Sequence, residues 1–119
     1  MNMGNLTGKI GEDYAAREYK KAGYRVVHRN FHSRYGEIDI IVQNEEFIVF
    51  AEVKARKIGS LTNPAEAVVK SKQGKIIKTA QIYLYSNPSF LQPRFDVFAV
   101  TTRNDKVISH ELFESAFTL

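Results

Sequence analysis

An α/β domain, with helices packed on the flanks of a mixed sheet, is what this 119-residue sequence predicts. Three observations carry that reading. Apolar residues recur at helical spacing in two segments, near residues 7–22 and 70–85. Strand-like apolar runs lie between them, interrupted by the polar break Gln43 to Glu46. Two more such runs, Phe95 to Val100 and Val107 to Leu112, flank a turn at Asn104-Asp105.

Taken in order, Thr7 can cap a helix running to about Ala22, with Leu6, Ile10, Tyr14, Tyr19 and Ala22 forming its apolar stripe and Gly23 ending it. Tyr24 to Val27 opens a strand, and Asn30 to Tyr35 reads as a polar loop. Gly36 then begins an antiparallel hairpin across the Gln43 to Glu46 break. Ile58 to Asn63 reads as a loop, with a helical stretch allowed from Pro64. The main part of that helix runs from about Lys70 to Tyr85, on Ile76, Ile77, Ala80, Tyr83 and Leu84, until Ser86-Asn87-Pro88 stops it. No repeat, low-complexity run or linker divides the chain, so residues 1–119 are expected to form one domain with a single core.

Composition narrows the function classes. With 44% hydrophobic and 25% charged residues the chain has the balance of an ordinary folded domain. No apolar stretch is long enough to span a membrane, and Met1 to Thr7 lacks the basic and apolar regions of a signal peptide. A cytoplasmic protein without membrane contact is expected. The absence of cysteine excludes disulfides and thiolate metal sites. A net charge of +4 and a pI of about 9.4 favour an anionic partner.

The chemistry lies in two strings, Gly36-Glu37-Ile38-Asp39-Ile40-Ile41 and Phe50-Ala51-Glu52-Val53-Lys54. Each sets ionisable groups inside a run that otherwise reads as a buried strand, where ionised groups need a partner or a metal. Strand periodicity puts Glu37, Asp39 and Ile41 on one face and Ile38, Ile40 and Val42 on the other. In the second string Ile48, Phe50, Glu52, Lys54 and Arg56 share a face. A tight turn near Glu45 sets Asp39 opposite or diagonal to Glu52, with Lys54 one pleat further on. A structural ion pair satisfies this pattern, and so does a hard divalent cation neutralising the surplus carboxylate charge. Glu12 borders the first helix's apolar stripe, where a carboxylate also suits the helix dipole. Lys72, with Gln73 as an alternative, can reach over the sheet toward a phosphate, while Lys75 and Lys78 read as a solvated face. Asp96 reads as buried and structural, satisfied by Arg94 or another nearby donor. Next to the site, His28, Arg29, His32, Arg34 and Tyr35 offer phosphate contacts and a ring that can stack on an unpaired base. His28 and His32 lie in strand-and-loop context, which does not give them zinc-ligand geometry.

Asp39 followed by Glu52-x-Lys54 resembles the signature of the PD-(D/E)XK nuclease superfamily. Gly11-Glu12, Arg29-Asn30, Gly36 to Asp39, Glu52 to Arg56, Lys72 and Arg94 to Val97 together resemble the small bacterial YraN-like family, which is similar to archaeal Holliday-junction resolvases. His32 departs from the arginine more common there, and no proline precedes Asp39. The resemblance implies an αβββαβ restriction-endonuclease-like core and a metal-dependent endonuclease. It implies Mg²⁺ or Mn²⁺ held by Asp39 and Glu52, with Glu12 as a further ligand or water-orienting group, and Lys54 completing the catalytic set. It also implies nucleic-acid contacts by Arg29, Arg34, Tyr35, Arg56 and Lys72, with DNA, branched DNA included, as the expected partner. A homodimer follows by analogy with resolvases. The competing expectation is a non-catalytic nucleic-acid-binding module on the same fold.

Overall fold

The computed structural model describes residues 6–60 and 70–117. Its elements are α1 (Leu6–Lys21), β1 (Arg25–Ser33), β2 (Gly36–Gln43), β3 (Phe47–Lys57), α2 (Lys70–Ser86), β4 (Gln92–Arg103) and β5 (Lys106–Phe117). The five strands form one sheet in the order β1-β2-β3-β4-β5. All neighbours are antiparallel except β3 and β4, which run parallel across the connection containing α2. The expected α/β architecture with a mixed sheet is therefore present. The helical stretch expected from Pro64 lies outside the described residues.

Local chemistry fixes the element ends. Gly23, at φ 95°, closes α1 with paired bonds from its own N–H to the Lys20 carbonyl and from Tyr24 N–H to the Tyr19 carbonyl. A left-handed residue just past the helix makes both bonds at no steric cost when it is glycine. Lys20 and Lys21 complement the negative end of the helix dipole. Asn104 and Asp105, at φ 50° and 61°, make the two-residue turn whose twist matches a hairpin, and they let β4 and β5 run well beyond the strands expected from the apolar runs.

Two cores sandwich the sheet. Against α2, Ile41, Ile48, Phe50 and Phe95 pack with Ile76, Ala80 and Tyr83. Against α1, Ile40, Val42, Val49 and Phe98 pack with Ala15, Ala16 and Tyr19. The β3 alternation is as expected, but that of β2 slips. Ile38 joins Ile41 on the α2 side, whereas Ile40 and Val42 face α1. The slip falls at Asp39, between the pairs Arg29↔Ile40 and Phe31↔Ile38, where Asn30 adopts φ 56°. A left-handed residue on one strand twists the ribbon locally and rotates the following side chains.

The segment Asn30 to Ser33, expected as loop, instead continues β1 as far as Ser33↔Gly36, leaving Arg34 and Tyr35 as the turn. Its polar side chains belong to an edge strand, where backbone pairing does not require an apolar sequence. The hairpin end is tied to α2 by a 2.7 Å hydrogen bond between the hydroxyls of Ser33 and Thr79.

On the opposite side, α1 approaches β3 closely because residue 11 has no side chain. A Cβ there would stand 2.7 Å from Ala55 Cβ and 3.5 Å from Val53 Cγ1. Gly11→Ala should gain about 1 kcal/mol of helix propensity and lose about 1–3 kcal/mol to overpacking, because neither Cβ can swing aside. Net destabilisation is the expected result in urea denaturation. Adding Ala55→Gly should recover part of it, with a coupling of at least about 0.5 kcal/mol. Strict additivity would show that the two positions do not compete for space.

Candidate functional site

The β2–β3 ladder runs from Gln43↔Ile48 to Ile40↔Ala51. The next residue on each strand is Asp39 and Glu52, both buried at 8% and 6% exposure. Asp39 Oδ2 accepts a 2.7 Å hydrogen bond from the backbone N–H of Val53, so a side chain holds β3 where backbone pairing ends. Glu52 Oε1 accepts a 2.6 Å bond from Lys72 Nζ on α2. Lys54, half-buried, lies near enough to feel the charges of Lys72, Glu52 and Asp39. Two strands and one helix thus bring two carboxylates and two ammonium groups together.

Electrostatics make the cluster unusual. Burial, reinforced by the charges of Glu52, Glu12 and Glu37, pushes the Asp39 carboxyl up to about 7, although the Val53 N–H favours its ionised form. Burial and the neighbouring Lys72 charge hold Lys54 below the usual lysine range. Burial also opposes the charge on Lys72, but its hydrogen bond and ion pair with Glu52 outweigh that and raise it. Displaced acids and bases of this kind cluster at functional sites and also occur in structural ion-pair networks.

Glu12 lies to the α1 side of this group. Its carboxyl is raised by burial, against the nearby Arg29 charge and a hydrogen bond from Asn30. Arg29 binds Asp13 at 2.8 Å and stands 3.7 Å from Glu12. Among the described residues no three His, Cys, Asp or Glu side chains converge on one metal position. Glu12 therefore contributes charge at a distance. Asn30 and Asp13, which the sequence reading did not assign to the site, position Glu12 and Arg29. The signal available for Asn30 was its residue type, because asparagine tolerates left-handed backbone.

The remaining expected contacts are distributed. Arg34 and Tyr35 occupy the β1–β2 turn, with the Arg34 guanidinium 5.0 Å from the Tyr35 ring centroid. Arg56 is half-buried near the end of β3, two residues past Lys54. His28 packs against Phe31 and Tyr83, whereas His32 turns to Glu37 at 3.4 Å, so the two do not share a ligand position. Asp96 is structural, as expected: it is fully buried and accepts two bonds from Arg94 at 2.9 Å, one from the Tyr19 hydroxyl at 2.9 Å and one from Ser115 N–H at 3.1 Å.

The family model described as "Uncharacterised protein family UPF0102" matches residues 11–100, a span that holds all of these groups except Ser115. The chain belongs to the UPF0102 family. This is the YraN-like group that the ordered motifs resemble. UPF0102 proteins of Syntrophomonas wolfei and Chloroherpeton thalassium are 40% and 42% identical to it over 105 and 107 residues. Those matches cover 87% and 89% of this chain, and 91% and 83% of the respective relatives. A UPF0102 protein of Caldanaerobacter subterraneus is 43% identical over 101 residues, covering 84% of this chain and 83% of its own. No helix among the described residues of this UPF0102 chain is long and apolar enough to cross a membrane.

The two buried aspartates should respond oppositely to amidation. Asp96→Asn leaves Arg94 buried without its bidentate partner and should cost about 3–5 kcal/mol. Asp39→Asn should cost nothing in metal-free buffer at pH 8 and should stabilise. The sign follows from the raised carboxyl: the folded state keeps a proton that the unfolded chain releases near pH 4. Wild-type stability should therefore fall between about pH 4 and 7, on the order of 1.4 kcal/mol per pH unit at most, while the Asn variant stays flatter. Urea melts of both proteins at pH 5 and 8 in EDTA test this. An Asn variant clearly less stable than wild type at pH 8 would mark Asp39 as a structural ion-pair partner.

Proposed function

We propose that this UPF0102 protein is a divalent-metal-dependent nuclease that hydrolyses phosphodiester bonds in nucleic acid, with DNA, including branched DNA, as its substrate class. The observation that carries the reading is the buried Asp39–Glu52 pair at the parting of two strands, with Lys54 and Lys72 beside it.

The donor set fits a magnesium-like ion. Mg²⁺ takes hard oxygen ligands, keeps several waters and needs only one or two protein carboxylates, so a third converging ligand is not required. Asp39 and Glu52 would hold Mg²⁺ or Mn²⁺, with Glu12 oriented by Asn30 and Arg29 to act through water. Bound there, the ion supplies polarisation of a phosphate oxygen and a water of lowered pKa. Lys54, whose proton affinity is lowered by burial and by the neighbouring Lys72 charge, is suited to donate a hydrogen bond from Nζ to a water or phosphate oxygen and to give up a proton more readily than a free lysine. Lys72 balances Glu52 and supplies a second cation for developing negative charge.

A second reading has its own support. Lys72 already neutralises Glu52 at 2.6 Å, which suits a binding module that keeps the fold without turnover. Incubation with single-stranded, duplex, flap and four-way-junction DNA, in Mg²⁺ or Mn²⁺ against EDTA, separates the two. Cleavage that requires the cation is expected, while binding without cleavage would establish the second reading. Asp39→Asn, Glu52→Gln and Lys54→Ala should each lower cleavage by at least about 10²-fold. Near-wild-type turnover in any two of them sinks the assignment.

A readout without substrate tests the metal directly. Mg²⁺ or Mn²⁺ should raise the melting temperature of the wild type and not that of Asp39→Asn, since a ligand stabilises only the state that binds it. Equal responses in both proteins would place the cation elsewhere.

A further inference from the structure

A groove of about 350 Å³ opens between the β1–β2 turn and the first turns of α2. Tyr35, Gly36 and Glu37 line it from the hairpin, and Ser71, Lys72 and Lys75 from the helix. Lys72 is also the partner of Glu52, so one side chain links the groove to the carboxylate pair. At its rim the Tyr35 ring holds two cations, the Arg34 guanidinium carbon and Lys78 Nζ, each 5.0 Å from the ring centroid.

Cations without an ion-paired carboxylate occur elsewhere on the surface, but here three of them gather at one groove. Several other cations have acidic partners: Lys9 and Arg29 pair with Asp13, Lys21 with Glu18, and Arg94 with Asp96. Among the described residues no carboxylate lies within ion-pairing distance of Arg34, Lys75 or Lys78. Glu37 is the acid on the opposite wall, and its carboxylate faces His32 at 3.4 Å. Like charges gathered without an ion-paired carboxylate repel, and an arriving anion would relieve that repulsion.

The spacing indicates the kind of anion. Lys72, Lys75 and Lys78 follow at three-residue steps along one ridge of α2. At 1.5 Å rise per residue they extend over roughly 9 Å. One phosphate ion cannot span that length, whereas a nucleic-acid strand carries a charge about every 3.4 Å along the helix axis.

We propose that this groove is the track for a nucleic-acid strand on the α2 side of the Asp39–Glu52 site, with Arg34, Lys75 and Lys78 holding its backbone phosphates and Tyr35 serving as the platform that positions two of these cations. The identity of the polyanion rests on the nuclease reading. Lys75 and Lys78, which the sequence alone presents as a solvated face, thereby acquire a role. Tyr35 acts through its neighbours, not by stacking on a base.

The test separates binding from cleavage. Full-length Asp39→Asn protein in EDTA is titrated with fluorescein-labelled single-stranded and duplex oligonucleotides over a series of KCl concentrations, followed by anisotropy. Adding Lys75→Ala and Lys78→Ala should weaken binding about tenfold or more. It should also flatten the log–log salt slope by roughly 1.4 for single strands or 1.8 for duplex, the loss of two phosphate contacts. Tyr35→Leu should flatten the slope in part, and Tyr35→Phe should keep it, because the ring face is retained. Lys106→Ala, the loss of one exposed charge on β5, should change neither quantity. An unchanged slope in the double lysine variant, an equal loss in Lys106→Ala, or no binding by the parent overturns the track. A Tyr35→Leu loss of affinity with an unchanged slope overturns the platform role and makes the ring a stacking surface. Each of these outcomes leaves divalent-dependent cleavage by the wild type to be judged by its own assay.

Discussion

The hydrogen bond from Val53 N–H to Asp39 Oδ2 is the contact on which the site is built. Beyond Ile40↔Ala51 the register of β2 with β3 ends, and β2 continues paired to β1. Strands that part leave backbone donors to be satisfied by something else. Here the side chain of Asp39 takes the Val53 donor, which fixes the carboxylate at the opening and keeps it beside Glu52. The close seat of α1 at Gly11 and Ala55 brings Glu12 toward the same place from one side of the sheet. The Ser33–Thr79 bond and the Lys72–Glu52 pair bring α2 in from the other.

Asp96 shows what a purely structural buried carboxylate looks like in the same sheet. Its two oxygens receive four donors, and it has no exposure. One donor, Ser115 N–H, comes from the irregular stretch where β5 carries extra residues between the pairs Phe95↔Phe117 and Val97↔Phe113. Ser115 sits there at φ 51°, so Asp96 secures a bulge as well as Arg94. Asp39 has a single backbone donor and three acidic neighbours in its field. Accepting the Val53 donor gives Asp39 a structural role, but its acidic neighbours are left without comparable compensation, and on the proposed reading a cation would offset them.

Much of the architecture was legible because its signals are local. The helical stripes of α1 and α2, Gly23, the Gln43 to Glu46 break and Asn104-Asp105 act within a few residues and predict the observed order. The pairing of Asp39 near Glu52 also followed from turn position and pleat. The β1 extension was not legible, since Asn30, His32 and Ser33 are polar and the lone Phe31 among them gives no alternation to read. The face of Ile38 was misread for a related reason: alternation assumes an even ribbon, and the left-handed Asn30 opposite this stretch rotates it. The Lys72–Glu52 contact joins residues 20 positions apart through helix packing, and no periodicity within either element contains it. Tyr35 could be read as a stacking ring because its two cations come from the turn and from a helix more than 40 residues away.

Lys72 couples the two halves of the candidate site. It touches Glu52 and it lines the groove beside cations that have no ion-paired carboxylate. On the proposed reading, a divalent ion at Asp39 and Glu52 would compete with it for the Glu52 oxygens, while a phosphate in the groove would offer it another partner. Each ligand therefore weakens what holds Lys72 against the other, and reciprocity requires that the preference run both ways. Lys54 belongs to the same balance: burial and the neighbouring Lys72 charge disfavour its charged form, and an anion between the two lysines would offset that. On the proposed nuclease reading, this charge arrangement would favour a cation and a polyanion arriving together over either alone, the combination that phosphodiester hydrolysis requires.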